Sequence, residues 1–85
     1  MLDTELPEKI RTIRRFLHLT QQEMAEQLEI SAEAYGKIER GKTRIHLIRL
    51  QQISAIFGVE VSLLMEKNAK DLVQNLMLHP SKKQE

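Results

Sequence analysis

Residues 31 to 44 read Ser-Ala-Glu-Ala-Tyr-Gly-Lys-Ile-Glu-Arg-Gly-Lys-Thr-Arg, and they hold the side chains best able to do chemistry. Lys37, Arg40, Lys42 and Arg44 gather positive charge into a short stretch, with the hydroxyl of Thr43 beside them. Ammonium, guanidinium and hydroxyl donors in such a cluster suit phosphate oxygens. If residues 32–40 are helical, Ala34, Tyr35 and Ile38 share one side at three- and four-residue spacing, leaving Ala32, Glu33, Gly36, Lys37 and Arg40 outward. That outward set is a candidate reading face, and its plain alternative is the solvated side of an ordinary helix.

Other chemistries lack anchors. With no cysteine there is no disulfide, thiolate zinc site, iron–sulfur cluster or cysteine nucleophile. His18, His46 and His79 are far apart with no i, i+4 pairing, so no metal is expected. No Gly-x-Ser-x-Gly elbow is present, and Gly36, Gly41 and Gly58 are too scattered to cradle a phosphate, so neither a cofactor nor an enzyme is expected.

These residues need elements to position them. The 85 residues are 41% hydrophobic and 29% charged, with 13 basic against 12 acidic side chains for a net charge of +1. This is a globular composition, and nucleic-acid contact would have to come from a local patch rather than bulk charge. The first residues carry no basic and apolar leader and no apolar run approaches a bilayer span, so neither export nor a membrane is expected.

Apolar residues recur at spacings of three and four and never alternate usefully, which predicts an all-α chain. A first helix starts near Pro7 and carries Ile10, Ile13 and Leu17 to about His18. Thr20-Gln21-Gln22-Glu23 has the form of a capping box, opening a short second helix that buries Met24, Ala25 and Leu28. Ser31 caps a third after a tight turn, and Gly41 stops it. Leu47, Leu50, Ile53, Ser54 and Phe57 form the buried stripe of a fourth, ended by Gly58. Ser62 can cap a fifth, and Met65, Ala69, Leu72, Val73, Leu76 and Met77 continue an apolar stripe to His79-Pro80. Met24, Met65 and Met77 read as packing residues. The expected organisation is a domain over residues 7–66, an amphipathic helical extension over 67–79, and a polar tail over 80–85, frayed from 81.

Two short helices joined by a three- or four-residue turn form a helix-turn-helix arrangement. The segments Thr20-Gln21-Gln22-Glu23-Met24-Ala25, Leu28-Glu29-Ile30-Ser31, Ile38-Glu39-Arg40-Gly41-Lys42 and Phe57-Gly58-Val59 through Leu64-Met65 fall in an order and spacing that resemble the phage repressor and Cro type of helix-turn-helix protein, the XRE-like transcriptional regulators. The resemblance covers roughly Ile10 to Glu66 and implies a five-helix, lambda-repressor-like DNA-binding domain, here with a C-terminal helical extension. The sequence departs from the pattern at Glu29, where the family commonly has glycine, at Ile45, where proline is common, and at Gly36 inside the third helix. A left-handed backbone at Glu29 would cost about 1 kcal/mol, unless the turn is built differently.

The resemblance further implies that Ala32, Glu33 and Lys37 reach base edges, with a methyl for thymine, a carboxylate for cytosine N4 and an ammonium for guanine O6 and N7. Gly36 would allow close approach to the duplex, or is simply a tolerated small residue. Gln21, Ser31, Arg40, Lys42, Thr43 and Arg44 would meet the DNA backbone, and Arg14 and Glu39 match an ion pair in which the first helix clamps the third. A dimeric repressor acting on double-stranded DNA in the cytoplasm, at a bacterial or phage nucleoid, is the implied function. The stripe at Leu72, Val73, Leu76 and Met77 needs a burial partner: a second copy of the chain is the favoured one, with packing on its own domain or disorder as the alternatives. The rival function is an antitoxin that represses its own operon and grips a toxin protein through the same segment.

Overall fold

The computed structural model describes residues 5–78, which form six helices: α1 (Glu5–Phe16), α2 (Gln21–Leu28), α3 (Ala32–Glu39), α4 (Leu47–Phe57), α5 (Val61–Glu66) and α6 (Ala69–Leu78). The chain is all-α: no strand occurs among the described residues, and none of the helices is long and apolar enough to cross a membrane. His79 and the polar tail lie outside the described residues.

Local signals set most helix ends. Thr20 caps α2 with its hydroxyl on the Glu23 N–H at 3.0 Å, while the Glu23 carboxylate accepts the Thr20 N–H at 2.8 Å. Ser31 Oγ accepts the Ala34 N–H at 3.0 Å to start α3. Gly58 closes α4 at φ 79°, a left-handed conformation that a residue without Cβ adopts freely. Two starts differ from expectation. The described part of α1 already runs from Glu5, ahead of Pro7, with Glu5 and Glu8 placing negative charge in its first turn. The residue capping α5 is Glu60 rather than Ser62, and its side chain makes no cap bond. Burial of Val59 and Leu64 fixes that start in place of a hydroxyl.

One core joins the helices. Ile10 and Ile13 of α1, Met24 of α2, Tyr35 of α3, Ile53 and Phe57 of α4, Leu64 of α5 and Leu72 of α6 are all but sealed from solvent. Three residues expected inside are outside: Leu47 is 62% exposed, Met65 49% and Met77 63%. The stripe of α4 therefore begins at Leu50, and each methionine sits beside the buried leucine of its helix, at Leu64 and Leu76, on the opposite side of the pattern.

The extension also differs from expectation. A kink at Asn68, whose Oδ1 accepts the Asp71 N–H at 2.8 Å, starts α6 afresh and turns it back onto α1. Leu72 and Leu76 are buried there in the chain's own core, while Val73 is half-buried. These two leucines are therefore unavailable to a second copy or a toxin, because α1 supplies the partner that the stripe lacked in the sequence. Lys9 holds the junction. Its buried Nζ donates to the carbonyls of Leu64 at 2.8 Å, Met65 at 3.2 Å and Lys67 at 3.0 Å, the otherwise unsatisfied end of α5.

Candidate nucleic-acid interface

The site is built on the turn between α2 and α3. Glu29 stands at φ 62°, ψ 41°, so the chain adopts the left-handed conformation without the family's glycine. Its N–H remains bonded to the end of α2, and Ile30 N–H reaches the Ala25 carbonyl at 3.0 Å. The strain of about 1 kcal/mol is thus borne, and the turn geometry is kept.

A polar clamp then fixes α3 from behind. Arg14 Nε donates to Glu39 Oε2 at 2.6 Å and Nη2 to Oε1 at 3.1 Å, a two-pronged pair with side chains 9% and 1% exposed. Arg14 Nη1 also donates to the Leu19 carbonyl at 2.8 Å. Glu39 takes two further bonds, from Tyr35 Oη at 2.5 Å and from Gln21 Nε2 at 3.0 Å. One carboxylate therefore ties α1, α2 and α3 together. Burial pushes its pKa up, but the hydrogen bonds from Arg14, Tyr35 and Gln21 outweigh that and hold it below the ordinary carboxylate value. Burial, reinforced by Glu39, raises the Tyr35 phenol, which stays a donor.

With its inner side clamped, α3 presents the rest to solvent. Glu33, Lys37 and Arg40 are exposed and Ala32 is half-buried at the entrance of the helix. The following loop adds exposed Lys42, Thr43 and Arg44. Glu33 and Lys37 share an open cleft of about 690 Å³ with Thr43, Arg44, His46 and Ile48, and that cleft separates α3 from the start of α4. The arrangement offers cations and hydroxyls on one surface, with an apolar floor between them. No group of side chains suited to a metal ion occurs among the described residues.

Several candidates sit differently from expectation. Gly36 is buried rather than outward, because it shares its side of α3 with Glu39, one turn on, which faces α1 and α2. The Gln21 amide donates inward to Glu39, and Ser31 uses its oxygen as the cap of α3 while staying exposed. The capping box engages the N–H of Glu23 and leaves the backbone N–H groups of Gln21 and Gln22 unbonded within the described chain. Ile48, 70% exposed in the cleft, went unread. Its signal was the consecutive pair Leu47-Ile48 ahead of a stripe that begins at Leu50.

The helix-turn-helix family model matches residues 10–64. Two curated relatives, uncharacterized HTH-type transcriptional regulators of Sinorhizobium medicae (strain WSM419) and Rhizobium meliloti (strain 1021), are each 35% identical over 65 residues. The alignment covers 76% of this chain and 47% of each relative, so the chain spans about half the length of the curated relatives it matches. No solved structure matches it.

Proposed function

Since the chain belongs to the helix-turn-helix family of XRE-like regulators, we propose that it is a sequence-specific, double-stranded-DNA-binding transcriptional repressor that reads the major groove with α3. The observation that carries this reading is the division of α3 into a clamped inner side and a free outer one. Glu39 and Tyr35 are held behind, and Glu33 and Lys37 project beside the basic loop 42–44. Phosphate contacts from Lys42, Thr43, Arg44 and the free N–H groups at the start of α2 would set the register of the duplex. Ala32, Glu33 and Lys37 would then meet base edges.

The active form we propose is a two-fold homodimer, which sets two reading helices about 34 Å apart on a near-palindromic site. Met65, Met77 and Leu78 supply exposed apolar side chains for it, in place of the buried Leu72 and Leu76.

Selecting bound fragments from random duplex, at fixed salt, gives the site and its symmetry. On that site, Lys37→Ala should lose about 1 to 3 kcal/mol while random duplex is little affected. Lys42→Ala should weaken both alike and lower the salt slope by about one. Equal loss on both duplexes for Lys37→Ala would remove it from base reading.

A further inference from the structure

Gly36 lies in the interior of α3, where glycine is a poor helix former, and it is buried. A Cβ built there would stand 2.9 Å from Arg40 Nη1, 3.8 Å from Arg40 Cζ and 3.9 Å from Gln21 Oε1. The Arg40 guanidinium has therefore folded back by one helical turn and lies on the bare α-carbon of Gly36. The Gln21 side chain borders the same spot from α2. Arg40 is the residue that caps the C-terminal end of α3, at φ −89°, ψ 2°, one turn beyond Gly36. Gln21 is itself fixed, because its amide nitrogen donates to Glu39.

We propose that Gly36 is a positioning residue: by having no side chain, it seats the Arg40 guanidinium in a notch between α2 and α3, where the guanidinium contacts a DNA phosphate. This rests on the DNA-binding reading above. Arg40 stays exposed to solvent while seated there, so its charge remains available to a phosphate oxygen. Confined there, Arg40 gives up little further rotamer freedom when the phosphate arrives. Gly36 itself touches no DNA.

The atom that a new Cβ would strike is the far end of a flexible side chain, so Gly36→Ala displaces Arg40 and leaves the backbone in place. Alanine is also the better helix former. The expected result is unusual in sign: Gly36→Ala keeps or raises the urea midpoint and weakens DNA binding about tenfold to a hundredfold, in the range of one charge-assisted hydrogen bond. Fluorescence anisotropy on a short random-sequence duplex across a series of potassium chloride concentrations reads it. The salt slope should fall by about one for Gly36→Ala and for Arg40→Ala alike. In the Arg40→Ala background, Gly36→Ala should have no further effect. An equal loss in both backgrounds would mean that the Cβ meets the duplex directly, and unchanged affinity in the wild-type background would mean that the seat is idle. Either result overturns the proposal while leaving the DNA-binding reading intact. Failure of the wild-type protein to bind any duplex overturns that reading itself.

Discussion

Two cations, Arg14 and Lys9, leave α1 toward different partners, and both are buried. Arg14 meets a carboxylate, in a pair drawn in further by Tyr35 and Gln21, and so fixes the helix proposed to read DNA. Lys9 meets three carbonyls and, among the described residues, no carboxylate, and so fixes the junction of α5 and α6. The same problem, a charge taken out of water, is solved once by a counter-charge and once by the orphan dipoles of a helix end. The first solution orients a working surface, and the second closes the core behind it.

Glu39→Ala should show the largest effect, because it leaves a guanidinium buried and unpaired. Urea unfolding should record a loss of about 3 to 4 kcal/mol. A double-mutant cycle with Arg14→Ala should return strong coupling, and DNA affinity should fall with the position of α3. Absence of coupling would reduce the clamp to two independent side chains.

Lys9→Met keeps the length and apolar stem but leaves three carbonyls without a donor, at about 1 to 3 kcal/mol. Its signature should be local. Amide exchange should accelerate over residues 69–78, with DNA affinity near wild type when measured well below the unfolding midpoint. Loss of DNA binding equal to that of Glu39→Ala would erase the distinction between the two cations.

Acid should separate them too. The Glu39 carboxyl titrates below its ordinary value of 4.5 in the folded chain, so its contribution is full above about pH 4.5 and is lost as pH falls through the lower folded-state value. Glu39→Gln should be less stable at neutral pH and flatter in acid, whereas Lys9→Met should keep the wild-type acid slope. Chemical denaturation at a series of pH values tests both.

The smallest effect concerns the turn between α2 and α3. Glu29→Gly removes a side chain from a left-handed position and should stabilise the fold by up to about 1 kcal/mol, raising Tm without changing DNA specificity. A fall in Tm would mean that the Glu29 side chain itself supports the turn.

These contrasts also mark what the sequence could carry. The boundaries written in adjacent residues were legible: the Thr20 to Glu23 box, the Ser31 cap and the stops at Gly41 and Gly58 each depend on side chains within a turn of each other. The pairing of Arg14 with Glu39 came from the family pattern, and the residue types suit it. The partners of Lys9 are backbone atoms 55 to 58 residues away, and no residue type announces a carbonyl. Periodicity gave the stripe at Leu72 and Leu76 but not the surface that covers it, since one helix face reads the same whether its partner is α1 or another molecule. The inward turn of Gly36 was hidden for a related reason: a glycine adds nothing to the apolar pattern by which the sides of α3 were assigned.

The Lys9 contacts also bear on the order in which the chain assembles. The α2–α3 unit is made of neighbours in sequence, whereas α1 finds its partners in α5 and α6 only across a loop of about 55 residues. Closing such a loop costs entropy before any contact repays it, so α1 should dock late. During synthesis the first helix would emerge from the ribosome well before α5 and α6, the helices that complete its packing. Pulse-labelled amide exchange during refolding should therefore protect α2 and α3 before α1. If α1 is protected first, the amino-terminal helix is a starting point of folding and not its closing step.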